Sequence, residues 1–262
     1  MFISAEEKKI SNQYLRDGFV IRDVYELDSL NWIRDYYCEI IKKKLPNIKE
    51  KGAENILNNI HKYVQASKLN KFRLDIINKI NSSKNFRENY YKVSKSLIDI
   101  IVGNEIAMQL RISLSIQLPK DNSSLLPVHA DTWSGVSPFE TVIWLPLVDC
   151  YKTKSMYILP PRKSKKIQNL LLDKKIKKSE DIFKKIKKDL IWLNVKYGQV
   201  VIFDQSLPHG NIVNKEKETR WSMNCRFKSI FTPYADKKIG EYYEPITLRA
   251  ASKKGIKYKL PK

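Results

Sequence analysis

Apolar residues recur at helical spacing through much of the first hundred residues. From Asp28 to about Lys44 they fall at every third or fourth position, and further amphipathic stretches cover about 69–82 and 85–102. A shorter helix is expected from Ser4, which precedes acidic residues suited to a first turn, to Asp17-Gly18. The segment GFVIRDV, residues 18–24, has the length and β-branched content of a strand.

After Glu105 the pattern changes to the alternation typical of β-strands. The strand-like segments are IAMQLRISLSIQLP, FETVIWLPLV, SMYILP, GQVVIF and RWSMNCRFKSIF. A lysine-rich helical stretch at about 163–188 interrupts them. Helices followed by strands predict an α+β domain whose β half is a sandwich or a barrel.

The chain of 262 residues carries a net charge of +21, and the excess is uneven. Residues 151–188 hold 14 lysines or arginines against 3 acidic residues, and residues 237–262 hold 8 against 2. Such a field attracts anions, whether phosphorylated substrates, nucleic acid or an acidic membrane surface. Lysines on solvated helix faces are the simpler explanation. The basic segment lacks the glycine-rich or aromatic-interleaved pattern of RNA-binding segments, which disfavours nucleic acid.

The sequence lacks the patterns of secreted and membrane-spanning proteins. It starts MFISAEEKKI, without a basic-then-apolar signal, and its apolar runs are far shorter than the roughly 20 residues that cross a bilayer. Cys38, Cys150 and Cys225 form no C-x-x-C pair and are expected to be small buried residues in a reducing compartment. We therefore expect a cytoplasmic protein, with peripheral membrane contact left open.

Two of the three histidines suggest a metal centre. His129 and Asp131 form an H-x-D motif in PVHADTWSG, and alternate residues of an extended segment share one face. His209 follows 78 residues after Asp131, in FDQSLPHGNIVN. Two histidines and a carboxylate on one face of a metal, with other positions open, are typical of non-haem Fe(II) oxygenases. Alone, H-x-D is a weak signal, since single histidines in strands are more often packed or hydrogen-bonded.

A candidate anion-binding pair strengthens this reading. Arg220 starts a strand-like segment 11 residues after His209, and Ser222 shares its face. A guanidinium grips a carboxylate through two hydrogen bonds, and the serine hydroxyl can add a third. Such a pair suits the far carboxylate of a dicarboxylic keto acid whose other end chelates the metal. A surface arginine at a strand start is the alternative.

Together these segments resemble the 2-oxoglutarate/Fe(II) oxygenases, in particular the phytanoyl-CoA-hydroxylase-like superfamily. Residues 17–37, DGFVIRDVYELDSLNWIRDYY, are similar to the opening strand and helix of that superfamily, and LPVHADTWSG is similar to its proximal metal motif. Residues 198–227 resemble its distal block, with a Gly-hydrophobic strand, His-Gly, Asn and Arg in order. Within the superfamily the chain is most similar to bacterial oxygenases of carbohydrate-biosynthesis clusters.

The resemblance implies a double-stranded β-helix (jelly-roll or cupin-like) core with N-terminal helices and a lysine-rich helical insertion. It implies one oxygenase domain over 1–262. Residues 1–104 would be mainly helical support, residues 105–232 the core with the insertion at about 163–188, and residues 233–262 a basic tail. The strand pattern does not indicate an oligomeric state.

The resemblance also assigns roles to individual residues. It implies that His129, Asp131 and His209 are the metal ligands and the catalytic centre, and that Arg220 pairs with the C5 carboxylate of 2-oxoglutarate. Further contacts with the co-substrate are expected from Ser222, Gln117 and Asn211, and Asn211 or Asn214 could instead orient the distal histidine or cap the strand. The presence of Asp131 disfavours halogenase chemistry, in which chloride takes the place of the carboxylate.

The implied activity is that of a dioxygenase that uses Fe(II), 2-oxoglutarate and O₂. Oxidative decarboxylation of 2-oxoglutarate to succinate and CO₂ would accompany oxidation of a small molecule, with hydroxylation the default. The resemblance and the basic region favour a sugar or sugar nucleotide, anionic or phosphorylated, in surface-polysaccharide biosynthesis. The alternatives are a nucleic-acid-directed oxidative demethylase, favoured by the charge, and a jelly-roll binding protein without catalytic activity.

Overall fold

The computed structural model describes residues 2–172 and 178–260. The helices are α1 (Ala5–Asp17), α2 (Leu27–Lys44), α3 (Ala53–Asn58), α4 (Ala66–Asn81), α5 (Lys84–Ile101), α6 (Pro161–Leu172), α7 (Ser179–Ile186) and α8 (Ala250–Ile256). The strands are β1 (Phe19–Asp23), β2 (Ile106–Gln109), β3 (Ser113–Gln117), β4 (Thr141–Pro146), β5 (Tyr157–Ile158), β6 (Ile191–Trp192), β7 (Gln199–Asp204), β8 (His209–Gly210), β9 (Arg220–Ser229) and β10 (Tyr243–Thr247).

The first helix shows how local chemistry sets an element's ends. Ser4 and Glu7 form a reciprocal capping box, in which each side chain accepts a hydrogen bond from the backbone N–H of the other residue. Gly18 ends the helix in a left-handed conformation, with φ of 79°, which a residue without a Cβ adopts at little cost. Strand β1 follows at once and pairs with β7.

Two antiparallel sheets make up the β half of the chain. The larger sheet has the order β1-β7-β4-β9-β2-β10, and β3 also pairs with β9. The smaller sheet has the order β6-β5-β8. Strand β9 is the longest and lies against β3, β4 and β2, so its register positions much of the larger sheet.

Alternate residues of β9 face two different environments. Trp221 points to the helical side, where its ring lies 6.0 Å from that of Tyr37 and its indole N–H donates to the Leu57 carbonyl at 2.9 Å. Burial of such large side chains stabilises a fold by about 1.5–3 kcal/mol each. The even-numbered residues, starting with Arg220 and Ser222, face the other side. The helices thus cover one face of the sheet and leave the opposite face available for chemistry.

The insertion after β5 forms a second apolar cluster. Its helix α7 buries Ile182 and Ile186 against the smaller sheet, in a cluster that includes Tyr157 and Leu159 of the β5 region. The insertion predicted at 163–188 contains the end of α6 and all of α7, and its residues 173–177 lie outside the described part of the chain.

The segment 233–262, predicted as a basic tail, contains a strand of the larger sheet. Within it β10 pairs with β2, with an irregularity between Pro245 and Thr247, and buries Tyr243 completely. Residues 261–262 of that segment lie outside the described part. Across the described ranges, no helix combines the length and apolar character needed to cross a membrane.

Candidate metal centre and co-substrate pocket

The two candidate histidines are held together by the backbone. The His129 N–H donates to the His209 carbonyl at 3.0 Å, and the His209 N–H donates to the His129 carbonyl at 2.8 Å. Between His129 and Asp131 the backbone is extended at Ala130, so both side chains lie on one side, as the H-x-D spacing predicts. Main-chain pairing therefore brings together ligands that are distant in the sequence.

The side chains of this cluster are oriented as metal ligands. One ligand atom from each of His129, Asp131 and His209 lies within 4.8 Å of the others, and in the described part of the chain no other such group of three is found. Each histidine places its Nδ1 2.8 Å from a main-chain carbonyl two residues earlier, Pro127 or Leu207. Because a carbonyl only accepts hydrogen bonds, Nδ1 holds the proton and Nε2 presents its lone pair.

The electrostatics favour a neutral distal histidine. Burial, together with the nearby His129, lowers the pKa of His209 to about 4. The imidazole is therefore unprotonated at neutral pH, as metal binding requires. Two imidazole nitrogens and one carboxylate suit a divalent iron-type ion that keeps other coordination positions open.

Arg220 is a buried cation without a carboxylate partner. Its side chain donates to the Ser155 carbonyl at 3.1 Å and to the Ser115 hydroxyl at 2.9 Å, and its Nε is buried without a partner among the described residues. Burial lowers the pKa of Arg220 to about 10, which leaves the group charged at neutral pH. Ser222 lies two residues after Arg220 on β9, and its hydroxyl is also buried without a partner in the described ranges. A buried guanidinium without a carboxylate partner and a buried hydroxyl without a hydrogen-bond partner favour the binding of an anion.

A single cavity joins these groups. It has a volume of about 470 Å³ and lies between the larger sheet and β8. The three candidate ligands, Arg220 and Ser222 all line it, together with apolar side chains of β4 and β7. A metal ion and a dicarboxylate bound at Arg220 would therefore share one cavity.

Solved structures of other proteins share the fold of this chain. A non-haem monooxygenase, the ThoJ–Ni complex, matches with a TM-score of 0.57 at 12% identity, over 93% of this chain and 85% of that chain. EctD from S. alaskensis with bound Fe matches at 0.52 and 14%, over 88% and 79%. SnoK, a non-haem α-ketoglutarate-dependent carbocyclase from nogalamycin biosynthesis, matches at 0.53 and 15%, over 94% and 97%. The chain has the fold of the non-haem iron oxygenases. No protein-family model and no curated protein matches the sequence.

This oxygenase fold confirms the predicted fold class, a helix-supported jelly-roll core. In it the H-x-D motif lies in the connection between β3 and β4, the distal histidine starts β8, and the arginine starts β9. All three positions line one cavity. Strands β3, β4 and β9 are neighbours in the larger sheet, and β8 belongs to the smaller one.

The remaining residues predicted to contact the co-substrate or to orient the distal histidine have hydrogen-bond partners within the protein. Gln117 pairs in register with Arg220 and donates to the Ile212 carbonyl at 2.6 Å, while its Oε1 is buried without a partner among the described residues. Asn211 lines the cavity, but its amide holds the loop before His129, since its Oδ1 accepts the Leu126 N–H at 2.8 Å. Asn214 caps the turn before β9 by donating to the Glu218 carbonyl at 2.8 Å.

Sequence reasoning missed two arginines that line the cavity. Arg226 of β9 donates from Nη2 to Asp131 Oδ2 at 2.5 Å, and burial, which opposes its charge, is outweighed by Asp131, so that its pKa is raised. Arg73 of α4 donates to Asn70 at 2.8 Å and has no carboxylate partner among the described residues. The alternation of β9 puts Arg226 on the same face as Arg220, but its distance from Asp131 depends on how the chain folds.

Proposed function

We propose that this chain is an Fe(II)- and 2-oxoglutarate-dependent dioxygenase that oxidises a small molecule. The observation that carries the proposal is the meeting, in one cavity, of the His129–Asp131–His209 cluster and the buried, unpaired charge of Arg220. A jelly-roll binding protein has no need for either group in this arrangement, since an unpaired buried guanidinium is costly unless a ligand compensates it.

The residues of the site have distinct roles in this proposal. His129, Asp131 and His209 would hold the iron, and Arg220, aided by Ser222, would bind the C5 carboxylate of 2-oxoglutarate. When bound, iron with 2-oxoglutarate and O₂ supplies the oxidising chemistry, for which hydroxylation of the substrate is the default outcome.

The surrounding residues protect and orient the bound molecules. Ser115 and the Ser155 carbonyl hold the guanidinium of Arg220, which fixes the direction in which its remaining N–H groups point. Val142, Trp144 and Phe203 form an apolar wall of the cavity. Such a wall limits water near the reacting atoms and strengthens the electrostatic contacts inside.

The charge of the cavity supports an anionic substrate. Besides the histidines, its ionisable lining residues in the described ranges are Arg73, Arg220, Arg226 and Asp131, three cations against one anion. A divalent metal and a dianionic co-substrate offset one another, so the positive excess remains for the substrate. Ser113 and Asn224, an opposed pair on β3 and β9, add a hydroxyl and an amide to the lining.

These features suit a phosphorylated sugar or a sugar nucleotide, and we propose such a substrate in surface-polysaccharide biosynthesis. Arg73 would bind its anionic group, and the serine and asparagine would bind sugar hydroxyls. The proposal includes a cytoplasmic location and one oxygenase domain over the whole chain. Nucleic acid is disfavoured as a substrate by the lack of an RNA-binding pattern in the basic segment.

The test is succinate formation by the protein loaded anaerobically with Fe(II) and then supplied with 2-oxoglutarate and O₂. The wild-type protein should form succinate, and His129→Ala and Arg220→Ala should lower the rate by at least about 100-fold, since each removes a group that holds a reactant. Arg220→Ala should retain Fe(II) but raise the KM for 2-oxoglutarate. Arg87→Gln, which alters an arginine outside the cavity, is the matched control and should keep the wild-type rate.

The same assay separates the substrate classes. Sugar nucleotides and sugar phosphates should stimulate succinate formation and gain the mass of one oxygen atom, whereas neutral sugars should not. Stimulation by a methylated oligonucleotide alone would favour the demethylase. Equal succinate formation by the wild type, His129→Ala and Arg220→Ala would refute the proposed activity.

A further inference from the structure

A chain of hydrogen bonds between buried polar side chains ends at the candidate metal ligand Asp131. Arg226 donates from Nη2 to Asp131 Oδ2 at 2.5 Å and from Nε to Gln205 Oε1 at 2.9 Å. Gln205 in turn donates to Glu140 Oε2 at 3.0 Å and to the Ser137 carbonyl at 3.1 Å. Gln205 and Glu140 are buried, so these hydrogen bonds are anchored inside the protein and not in solvent.

Gln205 holds the same aspartate in a second way. Its main-chain carbonyl accepts the backbone N–H of Asp131 at 3.0 Å, while its side chain holds the arginine that grips the carboxylate. One residue therefore fixes both the position and the rotation of Asp131. Position 205 directly follows β7 and precedes His209 by four residues.

The planar guanidinium of Arg226 is needed for this arrangement. On its remaining side Nη1 donates to the Tyr242 hydroxyl at 3.0 Å, and Gln109 Oε1 accepts the backbone N–H of Arg226 at 3.1 Å. Three nitrogens of one group thus point to three fixed acceptors. A lysine keeps the charge but cannot reproduce the fork, because its donors radiate from a single atom.

The two oxygens of Asp131 consequently have different environments. Oδ1 lies 3.8 Å from His129 Nε2, on the side of the imidazoles, whereas Oδ2 is bound to Arg226. A carboxylate that binds a metal through both oxygens occupies two coordination positions, and the hydrogen bond from Arg226 opposes this.

We propose that Arg226, held by Gln205 and Tyr242, is a positioning residue that restricts Asp131 to one metal-binding oxygen. The restriction keeps one more coordination position open to exogenous ligands. This inference rests on the proposed metal centre, and it assigns to Arg226 a role separate from that of Arg220, which lies six residues earlier on the same face of β9.

The test is anaerobic titration of the metal-free protein with Co(II), followed by calorimetry and by the visible absorption of the bound ion. Arg226→Lys and Arg226→Gln should weaken Co(II) binding by about 10- to 100-fold, the usual effect of losing a group that orients a ligand. The Co(II) spectrum should also change, because the coordination of Asp131 changes. Arg87→Gln, the control arginine with a carboxylate partner at Glu244, should match the wild type in both readouts.

A milder variant covers the case in which the Arg226 variants do not fold. Tyr242→Phe removes one hydrogen bond from a half-buried side chain and should weaken Co(II) binding by about threefold, with a smaller spectral change in the same direction. Wild-type affinity and spectrum in Arg226→Lys, or in Tyr242→Phe if the former is unfolded, would overturn the inference while leaving the metal centre intact. A wild-type protein that binds no Co(II) would instead overturn the proposed metal centre.

Discussion

Two arginines on one face of β9 show how environment sets the role of a residue type. Arg220 is buried beside neutral groups only, a serine hydroxyl and a carbonyl, so its charge favours an incoming carboxylate. Arg226 already has a carboxylate partner in Asp131, so its charge is compensated within the protein. Both face the cavity because the strand alternates, and only the partner distinguishes them.

At the same scale, Gly210 is required by the close approach of the loop that carries His129. A Cβ built on Gly210 would lie 2.6 Å from the Leu126 carbonyl oxygen and 3.0 Å from that of Pro127, which accepts from His129 Nδ1. We expect Gly210→Ala to lower the free energy of unfolding by about 1–3 kcal/mol, as overpacking does. It should also weaken Co(II) binding, measured by calorimetry, because the loop must move.

Gly255 provides the matched control. It lies in α8, and a Cβ built on it has no atom within 4 Å among the described residues. Gly255→Ala should leave Co(II) affinity unchanged and raise stability slightly, by up to about 1 kcal/mol, because alanine is the better helix former. Wild-type metal affinity in Gly210→Ala would show that the loop tolerates the methyl group.

At the level of elements, the spacing of apolar residues predicts the longer helices and strands. Helices α1, α2, α4 and α5 and the long strand β9 appear within a few residues of their predicted bounds, because each has an apolar face of its own. Strand β8, with two residues, is too short to show alternation, and β10 contains a proline, which is uncommon inside strands. The meeting of His129, Asp131 and His209 was predictable from residue types and spacing, whereas the contacts of Arg226 with Gln205 and Asp131 depend on strand register and packing.

The pairing of β10 with β2 leads to a prediction about truncation. A chain that ends after Tyr234 lacks β10 and the buried Tyr243, and it exposes the edge of β2. We expect a loss of at least about 3 kcal/mol, measured by urea unfolding, or insoluble protein, since a large buried side chain is removed.

A chain that ends after Arg249 is the control for this truncation. It lacks α8, which buries none of its residues, and keeps β10. Its free energy of unfolding should lie within about 0.5 kcal/mol of the full chain, as for other changes at exposed positions. Equal stability of the two truncated chains would mean that β10 does not support the sheet.

At the scale of the whole molecule, the excess of lysines lies on the surface and the apolar side chains form the core. Helix α7 illustrates this, since Ile182 and Ile186 are buried while Lys184, Lys185 and Lys188 are exposed. The lysines lie on the solvated face that amphipathic spacing predicts. With a net charge of +21, mutual repulsion opposes the compact state and draws anions towards the protein.

We therefore expect salt to stabilise the protein. Raising NaCl from about 10 to 150 mM shortens the Debye length from about 30 to 8 Å, which screens the repulsion. A gain on the order of 1 kcal/mol would raise the Tm, followed by circular dichroism, by about 2–4 °C for a chain of this size. The variant Lys185→Glu/Lys188→Glu, which lowers the net charge by four, should show a smaller rise; a Tm that falls with salt would contradict the expectation.

The pairing of His129 with His209 also has a consequence for folding and for lifetime in a cell. The two histidines are 80 residues apart in the sequence, so a long chain segment must close before their imidazoles meet. The ligand set is therefore absent from the unfolded chain, and a metal ion bound by it stabilises only the native state. At a free ion concentration 100 times Kd, this linkage amounts to about 2.7 kcal/mol. Metal supply would then govern how long the chain resists proteolysis as well as whether it turns over substrate.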